Sequence, residues 1–281
     1  MFKLSCLVGF CRLFVVSFGL LATYHIRMEL RLFCDSYIIG EYIRLKSILA
    51  SMPRYRLGMH KGLPTIRGYS GSGSALTKKE TQIYSSKYAE EMKKLELFNS
   101  VSERERLFFE EFKRRHLIVP SDFRFKRDPS KLNVAYWNQE VPCSNKLECT
   151  AEYYDDYGFN VRSRGEMIVG NALKSLGLEA KYEPLVDLKG LKRKSPDYSF
   201  PVHIIDRCFF VEFMGMADDE EYIDDNAEKI RLYMRSGILP NRDLILISGT
   251  KNWIPTQESI ARTIAAFINN AVLSAYNKQS F

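Results

Sequence analysis

The sequence predicts an α/β domain over residues 161–281, on three observations. An amphipathic stretch at 164–176 turns Met167, Ile168, Ala172 and Leu176 to one side and closes at Gly177. Strand-like runs follow near 180–186, 196–202 and 207–214. A second helical stretch at 219–236, ended by Gly237, leads into the buried strand 243–248 and a last helix at 256–274. The order α-β-β-β-α-β calls for a central mixed sheet flanked by helices.

Residues 28–160 read as a mainly helical and irregular N-terminal region. Leu30, Phe33, Tyr37, Ile38 and Leu45 recur at helical spacing over 29–50. The Gly- and Pro-rich stretch 51–77 reads as loop, and its Ser70-to-Ser74 run as a flexible linker. Two helices are expected at 79–98 and 103–116, the second opened by Ser102 and Glu105 in capping-box spacing and stopped by Pro120. Residues 121–160 are irregular and aromatic.

Residues 1–27 form an apolar segment with three readings: anchor, signal-like leader, or mis-assigned start ahead of Met28. The run 4–23 nearly reaches the roughly 20 residues of a membrane span, but Arg12 splits it. The expected location is cytoplasmic, with membrane association through 4–23 as the alternative.

A hydrophobic content of 46% fills a sizeable core and excludes a disordered chain. The net charge of +7 is carried outside the near-neutral C-terminal part, so global basicity says little about nucleic acid. The six cysteines form no Cys-x-x-Cys pair, which excludes a zinc module of ordinary spacing.

Chemistry concentrates on three carboxylates. Glu166 lies in Arg162-Ser163-Arg164-Gly165-Glu166, at a helix start. Asp197 follows Pro196 in Ser195-Pro196-Asp197-Tyr198. Glu212 interrupts the apolar strand Cys208–Met214. Alone, Asp197 reads as a turn residue and Glu166 as a helix cap. Glu212 is harder to set aside, because a buried carboxylate without a partner is costly. Carboxylates from one helix and two adjacent strands suit a hard divalent cation, as metal-assisted phosphodiester cleavage requires.

Residues 162–248 resemble the PD-(D/E)XK (restriction-endonuclease-like) nuclease superfamily. The matching pattern is Arg162-Ser163-x-x-Glu166, Tyr182-Glu183, Ser195-Pro196-Asp197-Tyr198, Val211-Glu212-x-x-Gly215, then Tyr222, Lys229, Tyr233 and Gly237. The similarity is to a bacterial branch whose lysine moves to the following helix, since Met214 stands where that lysine usually lies. The resemblance implies a restriction-endonuclease-like core and Mg²⁺ (or Mn²⁺) held by Glu166, Asp197, Glu212 and the carbonyl of Phe213. It gives Lys229 a catalytic charge and Ser163, Glu183, Tyr222 and Tyr233 supporting places. Tyr222, Asn226, Lys229 and Tyr233 share one helical face; the competing account pairs Lys229 with Asp225. Arg162, Arg164, Lys189, Lys192, Arg193 and Lys194 form the expected strip for DNA phosphates. The implied activity is a metal-dependent DNA endonuclease. The alternative is a catalytically silent nucleic-acid- or protein-binding module on the same fold.

Overall fold

A computed structural model describes residues 29–71, 77–126, 130–141, 152–186 and 195–276. The expected apolar segment 4–23 and the basic residues Lys189, Lys192, Arg193 and Lys194 lie outside them. No helix among the described residues is long and apolar enough to cross a membrane. The fold is mixed α/β, and the chain divides into two compact units.

One unit covers residues 38–119. Helix α1 (Asp35–Ser51) leads to strands β1 (Arg54–His60), β2 (Leu63–Ser70) and β3 (Thr77–Gln82), then to the long helix α2 (Tyr88–Arg114). This corrects the expected loop at 51–77 and the mainly helical description of this region. The strands form an antiparallel sheet in the order β1-β2-β3. Its glycines serve turns and close contacts instead of breaking strands. Lys61 and Gly62, both at positive φ, make the two-residue turn between β1 and β2. Helix α2 is continuous where two helices were expected. Ser102 lies inside it and caps nothing, because Leu95, Leu107 and Phe108 keep one buried stripe along it. Tyr42 stacks on Phe109 at 5.4 Å. At its cationic end, Arg114 and Arg115 bond Glu111.

The other unit holds residues 29–37 and 120–276 of the described chain, so its boundary falls at 119/120, not at 160. It contains α3 (Val134–Gln139), β4 (Tyr153–Tyr154), β5 (Asn160–Val161), α4 (Arg164–Ser175), β6 (Lys181–Tyr182), β7 (Tyr198–Val202), β8 (Arg207–Met214), α5 (Glu220–Arg235), β9 (Leu244–Ser248) and α6 (Gln257–Ala275). From α4 onward the expected α-β-β-β-α-β order, with its last helix, is observed. Strand β6 is shorter than expected, since Glu183 at φ 45° turns the chain out of it. The four-stranded sheet runs β6-β7-β8-β9. Its first three strands are antiparallel; β9 runs parallel to β8, so α5 supplies the crossover.

Strand β8 is buried along nearly its whole length. Alternation sends Cys208 and Phe210 into a cluster with Trp137, Tyr233, Ile238 and Leu244. On the other face Phe209 meets Phe267 edge-on at 5.2 Å. Asn269 of α6 donates to Leu32 O and accepts from Cys34 N, both at 2.8 Å, tying residues 29–37 to this core.

A carboxylate unanticipated from the sequence, Glu140, is buried beside this core. It accepts the Ser199 hydroxyl of β7 at 2.5 Å and lies 3.7 Å from the Cys208 thiol. Burial pushes its pKa up to about 7, against the lowering pull of Ser199 and Lys181. The pKa is raised on folding, so its stabilising contribution is complete below the ordinary carboxylate range and lost as pH rises through about 7. Glu140→Gln is expected to melt higher than the parent by roughly 2 °C or more at pH 8, with the gap closing near pH 4.5. Thermal denaturation across that range checks this; a constant gap refutes it.

Candidate active site

The site lies where β7 begins and β8 ends. Tyr198 pairs with Val211, so Asp197, one residue earlier, stands opposite Glu212. Both are 3% exposed, and Glu166 of α4 is 8% exposed. All three line one cleft of about 650 Å³ with Arg162, Ser163, Arg164, Phe213, Tyr222 and Lys229.

Each carboxylate has its own partners. Ser163 caps α4 by accepting the Glu166 N–H at 3.1 Å. In return Glu166 Oε1 accepts the Ser163 hydroxyl at 3.2 Å. Its Oε2 accepts the Tyr182 hydroxyl at 2.6 Å and the Arg162 N–H at 3.1 Å. The helix-cap and cleft roles of Glu166 therefore coexist. Asp197 Oδ2 accepts the Phe213 N–H at 2.6 Å. That bond turns the backbone edge of Phe213, carbonyl included, toward Asp197. Glu212 Oε1 is paired with the Lys229 ammonium, while Glu212 Oε2 is buried with no donor in bonding geometry; the Tyr233 hydroxyl, equally unpartnered, interacts with the same carboxylate.

Lys229 is thus the partner of Glu212 and not of Asp225. It reaches Glu212 because α5 lies over the same face of β8, with Tyr233 one turn further on. Asp219 starts α5 by accepting the Tyr222 N–H at 3.1 Å. Tyr222 accepts the Gly215 N–H at 3.1 Å, fixing the chain just after β8. Met214 lines a small apolar cavity with Ile223, Ala227 and Ile230, which shares Tyr222 and Asn226 with the cleft.

The charges are strained against one another. Burial raises the Asp197 pKa well above the ordinary range, and the Glu212 and Glu166 charges raise it further. Glu212 is also raised by burial, though Lys229 offsets part of that. Burial lowers Lys229, but Glu212 and Asp197 more than reverse it, so the ammonium stays charged. Tyr233 is raised well above its usual value by burial and by those same two carboxylates.

Arg162 is committed differently from the expected phosphate strip. Its guanidinium pairs with Glu183 at 2.8 Å and approaches Asp197 at 3.7 Å. Arg164 is exposed at the rim of the cleft. Sequence reasoning missed the role of Tyr182. It quoted the residue in the pattern but not the hydroxyl bond that orients Glu166.

The residues suit a hard divalent cation: three buried carboxylates, a backbone carbonyl turned the same way, and one orphaned carboxylate oxygen. Among the described residues no group of three His, Cys, Asp or Glu side chains is placed so that it could hold a metal ion. Each carboxylate instead takes its nearest donor, as mutually repelling charges do.

The Phe213 ring explains a glycine in the motif. A Cβ at Gly165 would lie 1.9 Å from that ring, and Gly249 approaches its other side. Gly165→Ala is expected to lose about 1–3 kcal/mol by overpacking, measured by denaturant unfolding. Adding Phe213→Leu should recover part of the loss; additive losses would show that the two positions do not meet. Comparison with protein-family models, curated proteins and solved structures finds no match to this chain, so its chemistry is argued from this geometry.

Proposed function

We propose that this chain is a Mg²⁺- or Mn²⁺-dependent nuclease with a restriction-endonuclease-like core, hydrolysing phosphodiester bonds of DNA. The observation that carries the reading is the buried Glu212, with one oxygen on Lys229 and the other without a donor in bonding geometry, beside Asp197. Glu166, Asp197, Glu212 and the Phe213 carbonyl would hold the ion. When bound, it supplies Lewis-acid polarisation of the phosphate and a more acidic water.

The chain's own groups do the rest. Tyr182 and Ser163 hold the Glu166 carboxylate toward the cleft. The Phe213 N–H fixes the Asp197 rotamer. Arg162 anchors Glu183 and leans on Asp197. Lys229, kept protonated, presents positive charge to the scissile phosphate and is no general base. Tyr222 and Asp219 set the pitch of the helix that carries it.

The direct Lys229–Glu212 pair also favours a second reading. In that reading the lysine neutralises a buried carboxylate in a catalytically silent binding module. Incubating the purified chain with linear, circular and single-stranded DNA under Mg²⁺, Mn²⁺ or EDTA separates the two. Metal-dependent cleavage and a metal-dependent rise in Tm support the nuclease; absence of both supports the silent module.

Asp197→Asn is expected to abolish cleavage and to raise the Tm of the metal-free protein at neutral pH. The sign follows from its raised pKa: stability is lost as pH rises from the ordinary aspartate range toward that raised value, and asparagine does not carry this loss. Retained cleavage in this variant would sink the assignment.

Lys229→Ala is expected to slow cleavage by about 10²–10³-fold, the loss typical of one transition-state contact. It also strips Glu212 of its counter-charge, so Mg²⁺ should raise the Tm of this variant more than that of the parent. Parental rates in Lys229→Ala would leave the lysine as a structural counter-ion only.

A further inference from the structure

The sheet of the 38–119 unit has two unlike faces. Antiparallel pairing puts Tyr55, Ile66, Gly68 and Lys79 on one of them. That face lies on α2. Ile66 is buried, Tyr55 meets Phe98 edge-on at 6.2 Å, and Lys79 pairs with Glu91 at 2.7 Å. The opposite face carries Arg54, Arg56 and His60 from β1, Arg67 from β2, and Lys78 and Glu80 from β3.

This second face is built against its own folding stability. Arg56 stands directly across from Arg67, and like charges so placed destabilise a sheet. Glu80 is the one acidic residue in segment 54–82. It is already shared by Arg67 at 2.8 Å, Lys78 at 2.7 Å and His60 at 3.9 Å. Arg54, Arg56 and Lys61 are exposed and have no ion-pair partner among the described residues. Gly58 adds a shaped feature. A Cβ there would sit 2.9 Å from the Arg67 guanidinium carbon, so glycine lets that group lie across β1, where it donates to Met59 O at 2.9 Å. The result is a cationic face on a helix-backed sheet.

We propose that this face binds the phosphate backbone of duplex DNA, as an anchoring surface distinct from the acidic cleft. Charge complementarity selects a polyanion. Cations on a sheet that contact phosphates supply affinity without reading sequence. The choice of DNA as the polyanion rests on the nuclease reading above. The surface gives the chain a grip on DNA that owes nothing to the cleft.

The test measures binding of the full chain to a short labelled duplex by fluorescence anisotropy, in EDTA so that cleavage is silent, at several salt concentrations. The triple variant Arg54→Ala, Arg56→Ala, Lys61→Ala should bind at least tenfold more weakly at low salt. Its slope of log affinity against log salt should fall by roughly 2–3, at about 0.9 per lost phosphate contact. Glu80→Gln should do the reverse: it releases Arg67 and Lys78, tightens binding and steepens the slope. Arg262→Ala, which removes an exposed cation of the other unit away from the cleft lining, should bind as the parent does. Parental affinity and slope in the triple variant overturn the proposal, as does weaker binding by Glu80→Gln. Tighter binding of polyglutamate than of DNA also overturns it, pointing to an acidic protein segment. A parent that binds through Arg54, Arg56 and Lys61 but never cleaves refutes the nuclease and leaves this surface standing.

Discussion

The arrangement depends on one constraint: two carboxylates are buried side by side at the ends of adjacent strands. Glu212 sits on β8, whose neighbours are Phe210, Val211 and Phe213, all nearly inaccessible to water. Asp197 lies opposite it. Burying such groups costs several kcal/mol each in practice, unless partners are supplied. The surrounding fold supplies them from four directions. Lys229 comes from α5, Arg162 from the loop before α4, the Phe213 N–H from β8 itself, and the Tyr182 hydroxyl, through Glu166, from β6. Those partners require α5 on one face of the sheet and α4 near the ends of β7 and β8. The parallel β8–β9 pair enforces the first of these, since its crossover is α5.

Much of this was legible in the sequence because the signals were local. Helices α4 and α5 carry strong amphipathic periods and closing glycines, Gly177 and Gly237, both at positive φ. After Arg207, strand β8 is an apolar run broken by Glu212, and that break pointed to the candidate site. The N-terminal sheet was missed for an equally physical reason. Its strands alternate between a charged face and a face that buries only a few side chains, so the period-2 signal is faint. Its glycines also read as breakers. Gly58 instead makes room for Arg67, and Gly68 lies under the Tyr55 ring. Partner choice was invisible too. Nothing in the spacing says that Lys229 pairs with Glu212 across 17 residues when Asp225 lies one turn away. Only the crossing of α5 over β8 decides it.

The same physics separates the charge along the chain. The cleft concentrates carboxylates, and the sheet of the other unit concentrates cations. Pairing within each unit removes only part of either excess. On α2, Glu103, Glu110 and Glu111 are matched by arginines three or four residues away, the ordinary economy of a solvated helix. On the basic sheet one glutamate serves Arg67 and Lys78, with His60 beside it. A surface that folding alone had shaped would look like α2. The opposed Arg56 and Arg67 are the feature that the proposed polyanion would answer.

The cleft makes the matching argument with the opposite sign. In their ionised forms the buried Glu166, Asp197, Glu212 and Glu183 outnumber Arg162 and Lys229, the two cations that reach them, while Arg164 and Lys251 line the same cleft without pairing with these carboxylates. Protonation relieves this excess in the isolated chain, and the raised pKa values of Asp197 and Glu212 express that. One divalent cation would relieve it equally well and let both carboxylates ionise. Lys229 cannot substitute, because it already counts in the balance and reaches only one oxygen of Glu212. A permanent structural ion pair needs no second carboxylate opposite and no orphaned oxygen. The proposed cation would answer both of these features, which the Lys229–Glu212 pair leaves unexplained.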